Sequence, residues 1–258
     1  MKVVKHILII LLFCPIYVMG QNLLPNPRFE DTIQRANPVH LYSPVWWETA
    51  TREGFNYLTP LNNSIDSRYG APYNVNGYQE AYSGVSYIGM LIYHLYDTVR
   101  RNPRREYMQA QLNRVLQADS TYCFQIYLSL ADSSHFASRG QLGVYFSNNA
   151  VYENHWEHLP YTPQIIVSPN DYVVEKEEWV LYSSTYKATG GEEYITIGNF
   201  NDTTSLDTID VGGGGEFWHK AFYYYIDDVF LGHCDSLPDT TIGLNENELK
   251  NKLKLYPN

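Results

Sequence analysis

Cysteine is scarce in this chain of 258 residues: Cys14, Cys123 and Cys234 are the only ones. Neither Cys123 nor Cys234 has a neighbouring Cys or His at zinc-ligand spacing, which excludes a structural zinc finger. Charge is thin as well, at 18% of residues, and it is lopsided, with 28 acids against 18 Lys and Arg for a formal charge of −10. An acidic surface repels phosphate backbones and anionic lipid, so nucleic acid is not an expected partner. Past the N-terminus no run is apolar for long enough to form a membrane span. The chain also lacks a Gly-x-Ser-x-Gly elbow, a His-Glu-x-x-His helix and a glycine loop completed by Lys-Ser/Thr. "DVGGGGEFW" (Asp210 to Trp218) is therefore a loop between the last two strands rather than a phosphate cradle.

What is present begins with "MKVVKHILIILLFCPIYVMG", in which Lys2 and Lys5 precede an apolar run from Ile7 to Phe13 and Gly20 closes the segment. That is the form of a secretory signal peptide, with cleavage expected after Gly20. Phe13 stands where a lipobox needs a small residue, so Cys14 is not read as a lipid anchor. Losing the two leader lysines moves the formal charge from −10 to −12. Cys123 and Cys234 then remain in a compartment where disulfides persist. They are either bridged, tying a middle strand to the end of the last one, or two buried thiols.

Aromatics make up 15% of the chain, with 24 tyrosines. Short segments rich in Tyr, Ile, Val, Phe and Thr recur between turn residues: "TYCFQIYLSLA" (121–131), "QLGVYFS" (141–147), "EWVLYSSTYKA" (178–188), "EYITIGNF" (193–200) and "FYYYIDDVFL" (222–231). Such residues fit a half-buried pleated surface, and the pattern predicts an all-β fold, an antiparallel β-sandwich of jelly-roll type. "REYMQAQLNRVL" (105–116) is read as a further strand, followed by a turn at "LQADSTY". After Cys234 the composition turns polar. The expected organisation is a signal peptide over 1–20, a β-sandwich over 21–234, a linker over 235–252 and a new segment, "LKLYPN", over 253–258.

"NLLPNPRFE" (22–30), "YSGVSYIGM" (82–90) and "IDDV" (226–229) resemble, in order and spacing, segments of carbohydrate-binding modules with a galactose-binding-like jelly roll. The likeness spans Asn22 to Gly232. "GYQEAYSGVSYIGM", "RREYMQAQL", "YLSLADSSHFAS", "GVYFS" and "ATGGEEYITIGNF" resemble, more closely, secreted Bacteroidetes domains that stand before OmpA-like or sorting domains. "LKLYPN" resembles the start of a type IX secretion sorting domain. This implies export by the type IX machinery and a domain continuing past Asn258. Asp31-Thr32-Ile33, Asp207-Thr208-Ile209 and Asp239-Thr240-Thr241 resemble an O-glycosylation sequon of the same group.

In "AFYYYIDDVFLGHC" (221–234) two acids interrupt an apolar strand. Successive strand side chains point to opposite faces, so Asp227 and Asp228 cannot enter one core. The residues by themselves suggest that one faces water while the other accepts backbone donors near the strand end. The resemblance implies instead a structural calcium held by Glu30 and Asp227, with Asp228 or Asp31 as substitutes, completed by turn carbonyls. Calcium takes about six to eight hard oxygen ligands, which suits such a set. A glycosidase needs two carboxylates across a cleft, which adjacent acids on opposite faces do not supply, and Glu53, Glu80, Glu106 and Glu153 are scattered. His155 and His158 stand three apart without a helix to align them as metal ligands.

Trp47 and Trp179 begin strand-like segments and are expected in the core. Trp156 and Trp218 lie in polar loops and are the ligand-stacking candidates, with Tyr152 and His219 beside them; the alternative is that each caps an end of the sandwich. The expected role is a secreted or cell-surface non-catalytic binding module with a glycan ligand. The competing role is a structural or adhesive protein contacting cell-envelope proteins, and a hydrolase comes third. Aromatics around a groove favour the first, a flat apolar patch the second.

Overall fold

The computed structural model describes residues 22–35, 41–97, 102–202, 206–213 and 221–237. The leader, most of the linker and "LKLYPN" lie outside the described residues, as do Trp218 and His219. In chain order the strands are β1 (Thr32–Gln34), β2 (Tyr42–Pro44), β3 (Trp47–Thr49), β4 (Asn56–Leu58), β5 (Tyr73–Asn74), β6 (Gly77–Tyr78), β7 (Tyr87–Asp97), β8 (Asn102–Arg104), β9 (Tyr107–Gln111), β10 (Thr121–Leu130), β11 (Phe136–Ser138), β12 (Leu142–Ser147), β13 (Ile165–Val167), β14 (Val180–Lys187), β15 (Tyr194–Gly198), β16 (Thr208–Asp210) and β17 (Ala221–His233).

A six-stranded sheet runs β14-β10-β17-β7-β4, with β8 also on β7, and a five-stranded sheet runs β13-β12-β15-β9-β3. Pairing within both is antiparallel. Period-two alternation explains why they face each other. Tyr122, Phe124, Ile126, Leu128 and Leu130 of β10 point inward to meet Leu142, Val144 and Phe146 of β12 and Ile195 and Ile197 of β15. Each fully buried side chain of this kind contributes about 1.5–3 kcal/mol, so the seam between the sheets is the main source of stability.

The outer faces are covered too, which is what shapes the surface. On the six-stranded sheet, Tyr87, Leu91, Tyr223 and Tyr225 pack against Leu58 and Ala71. The segment between β4 and β7 is pinned there by Tyr225 donating to Asn74 Oδ1 at 3.0 Å and Tyr87 donating to the Gln79 carbonyl at 2.8 Å. On the five-stranded sheet, the loop over 148–164 lies across Tyr107 and Gln109. The Gln109 amide donates to the Val151 carbonyl and accepts from its N–H, both at 2.8 Å.

Cys123 and Cys234 are bridged, with Cα atoms 4.9 Å apart, so the disulfide alternative holds. Two expectations need correction. The strand expected over 105–116 is confined to Tyr107–Gln111; beyond it Leu112 and Leu116 donate to the carbonyls of Glu193 and Glu192. Ile226-Asp227-Asp228 lies inside the 13-residue β17 rather than near its end. Gln125 pairs with Phe230 and Tyr127 with Asp227, so two steps on β10 oppose three on β17. Asp228, at φ 44°, sits in the resulting bulge.

Candidate functional site

The segment "NLLPNPRFE" is laid along β17 by Leu23 donating to the Leu231 carbonyl at 2.7 Å and Val229 donating to the Pro27 carbonyl at 2.9 Å. A turn in which Phe29 takes φ 60° then aims Glu30 at the loop before β7. Glu30 Oε1 accepts from the backbone N–H of Val85 and of Ser86, both at 2.9 Å. From the other side Asp227 Oδ2 accepts from Ser83 N–H at 3.0 Å and Oδ1 from Asp228 N–H at 2.7 Å. One turn, Ser83 to Ser86, is thus clasped by the two carboxylates singled out as metal ligands. Gly84 at its apex has φ +69°, and a Cβ there would sit 2.3 Å from Glu30 Oε1, so the position requires glycine.

Asp227 is fully buried. Burial, followed at a distance by the charge of Asp228, pushes its carboxyl up to about 8 against the opposing N–H of Ser83. Among the described residues no basic side chain pairs with it; Arg28, 3.7 Å from Asp228, serves that neighbour instead. Ser83 Oγ beside it is buried with no hydrogen-bond partner. The described residues hold no group of three or more His, Cys, Asp or Glu side chains able to hold a metal. A cation here would rely on Glu30, Asp227 and neutral oxygens, a donor set that fits a hard ion such as calcium and not zinc. Asp228 turns to Arg28, and exposed Asp31 spends its backbone N–H and carbonyl on Asn26.

Tyr82, the residue before the clasped turn, stacks on Tyr127 with ring centroids 3.6 Å apart. It opens onto a groove of about 720 Å³ whose walls are residues 78–82 on one side and 176–179, with Asp132, on the other. Tyr78 and Tyr82 are 42% and 43% exposed there. Trp179 forms the third ring, half-buried edge-on against Tyr87 with its Nε1 donating to the Glu80 carbonyl at 2.8 Å. The walls are held by internal bonds. Glu175 Oε1 accepts from the N–H of Lys176 and Glu177 at 3.1 Å and of Glu178 at 3.4 Å, and these bonds, Glu177 foremost, hold its carboxyl below the usual range. Tyr78 N–H donates to Asp132 Oδ2 at 3.0 Å. Exposed rings beside carboxylates suit a sugar, whose C–H face packs on an aromatic while its hydroxyls donate to acceptors.

No protein-family model matches the chain, and no curated protein sequence does. Solved structures do. The K3 cleaved adhesin domain of Lys-gingipain from Porphyromonas gingivalis superposes with a TM-score of 0.43 at 14% identity, covering 83% of this chain and 99% of that one. The CBM22-1 xylan-binding domain from Paenibacillus barcinonensis Xyn10C gives 0.40 at 14% identity, over 83% and 94%. The C-terminal family 22 carbohydrate-binding module of Clostridium thermocellum Xyn10B gives 0.35 at 12% identity, over 83% and 98%. The likeness is one of fold.

The other candidates fall elsewhere. Tyr152 and Trp156, 62% and 37% exposed, share the loop over the five-stranded sheet, across the sandwich from the groove. The Arg52 guanidinium lies 4.9 Å over the Trp156 ring and occupies one of its faces. Trp47 is buried as expected, its Nε1 donating to the Asn26 carbonyl at 3.0 Å. Trp179 is half-buried: it precedes β14, which begins at Val180, and its ring packs on the outer cluster around Tyr87 while lining the groove. Of the scattered acids only Glu80 lines the groove; Glu53 pairs with Arg104, and Glu153 lies in the loop whose backbone pairs with Thr51, over the five-stranded sheet. Glu106 is pushed up to about 8 by burial, yet like Asp227 it lies outside the groove. The raised acid that a glycosidase needs is therefore not brought to the groove by either of them. Sequence reasoning missed Tyr78 and Tyr82. Tyr82 is the first residue of "YSGVSYIGM", so its place before a glycine turn was the available signal.

Proposed function

We propose that this chain is a secreted, non-catalytic glycan-binding module, exported through its leader and a type IX sorting segment, with a structural calcium at the Glu30–Asp227 clasp. The observation that carries the binding role is the groove, in which three partly exposed rings stand beside carboxylates on hydrogen-bonded walls. When bound, calcium would neutralise the buried Asp227 and fix the turn that carries Tyr82. Glu30 and Asp227 are the side chains that would hold it.

An adhesive role through protein contact has its own support. Leu61, Ile65, Tyr73, Val75 and Val85, all exposed, come from the same covering layer as Tyr78 and Tyr82. Affinity electrophoresis against soluble polysaccharides, with Tyr82→Ala, Trp179→Ala and Trp156→Ala alongside, separates the readings. Retardation lost in the first two variants and kept in the third supports glycan binding at the groove. Retardation lost only in Trp156→Ala moves the site to the other face, and no retardation on a broad panel favours protein contact.

A further inference from the structure

Resting on the reading of the groove as a glycan site, we infer that it selects sugar chains bearing free amino groups over neutral or acidic ones. The argument is an inventory of donors and acceptors. Most of the described donors around the groove are spent inside the protein. Lys176 Nζ, the ammonium of the lining, donates to the carbonyls of Asp132, Ser134 and Gly212 at 3.2–3.3 Å, which uses all of its N–H bonds. The Tyr78 hydroxyl donates to Glu80 Oε1 at 2.8 Å, Trp179 Nε1 to the Glu80 carbonyl, and the N–H groups of Glu177 and Glu178 to Glu175.

Acceptors, by contrast, are in surplus. Glu80, Asp132, Glu177 and Glu178 are all exposed around the same space. A complementary ligand supplies donors and positive charge while offering an apolar face to Tyr82 and Trp179. A protonated amino sugar does this, since an ammonium carries N–H donors and no acceptor. A plain hydroxyl sugar also donates but carries no charge, and an N-acetyl group trades the ammonium for a neutral amide with an acceptor. A uronate adds a negative charge that among the described lining residues meets only the Lys176 ammonium, already bonded to three carbonyls. Two or three ammonium–carboxylate contacts at exposed positions correspond to a preference of about tenfold.

The test is titration of the full chain with deacetylated β-1,4-glucosamine oligomers, their N-acetylated counterparts and uronate oligomers of similar length. Mildly acidic buffer keeps the amines protonated, and the parent is compared with Glu177→Gln/Glu178→Gln and with Trp179→Ala. The expected result is binding of the deacetylated oligomer about tenfold tighter than its acetylated twin, a preference that shrinks with added salt and in the double Gln variant, and no binding by Trp179→Ala. Equal or tighter binding of the acetylated or uronate oligomers, lost in Trp179→Ala, overturns the selectivity and leaves the glycan groove standing. No binding of any oligomer, or binding that survives Trp179→Ala, removes both.

Discussion

Glu106→Gln tests how the fold tolerates an acid in its interior. Glu106 stands where the chain enters β9; its N–H donates to the Leu91 carbonyl at 2.9 Å and its Oε2 accepts from Leu91 N–H at 2.8 Å. Glutamine keeps the size and can present its amide oxygen to the same donor, so the substitution removes the charge with little else. Burial pushes the carboxyl from 4.5 to about 8, against the Leu91 N–H and the more distant Arg104. Because the folded state holds the proton more tightly than the unfolded chain, the stabilisation is complete below the unfolded pKa and is lost as pH rises to about 8. The slope is about 1.4 kcal/mol per pH unit for each such group, so a ceiling of roughly 4 kcal/mol separates pH 5 from pH 8. Asp227 adds a second contribution of the same sign in the same window when no cation is bound. Together these approach the whole stability of an ordinary domain, about 5–15 kcal/mol, so the pH dependence should be large enough to measure. Urea unfolding across this range, with chelator present, is the assay. The parent should lose stability steadily as pH rises, and Glu106→Gln should show about half that slope at an unchanged m-value. A parent whose stability is flat or rises over the range, or a variant with the parent's slope, would refute the reasoning.

Calcium is expected to raise the melting temperature relative to chelator and to flatten the pH dependence, whereas Asp227→Asn should show no response; a parent that binds no metal and does not shift removes the calcium site. Gly84→Ala should cost about 2–4 kcal/mol, from an unfavourable φ of +69° and the displaced Glu30, read as a lower urea midpoint. Replacing both Cys123 and Cys234 by Ser frees a link across 111 positions of sequence, and the chain-entropy model puts the loss at roughly 4–5 kcal/mol. A double variant within about 1 kcal/mol of the parent would contradict that. Trp46 is 66% exposed at φ 73°. Trp46→Gly should therefore stay within about 1 kcal/mol of the parent, and a larger loss would show that the ring packs rather than displays itself.

Strand identity was legible because alternation is local: Tyr122, Phe124, Ile126 and Leu128 announce their face two residues at a time. The same rule separated Asp227, which accepts backbone N–H groups, from Asp228, which turns out to Arg28, but it did not place them inside the strand rather than near its end. A bulge changes the phase of the alternation, and whether one forms depends on how β10 counts against β17. Trp179 packs on a hydrophobic cluster as expected, but its standing one residue before β14, with one side open to the groove, is a boundary detail that local pattern does not resolve. The groove was not legible at all, since Tyr78, Tyr82, Asp132 and Trp179 are scattered over about a hundred positions and each reads as an ordinary turn or strand residue.

By itself the sequence determined the all-β class, because side-chain period is a property of a few neighbouring residues, while Glu30 and Asp227 were nominated by the resemblance to galactose-binding-like modules. Only the tertiary structure decided that these acids clasp one glycine turn, that Cys123 reaches Cys234, and that the rings beside the turn open onto an acceptor-rich groove. Those facts depend on which distant segments share an edge, and that is settled by burying whole sheet faces rather than by any stretch of chain alone.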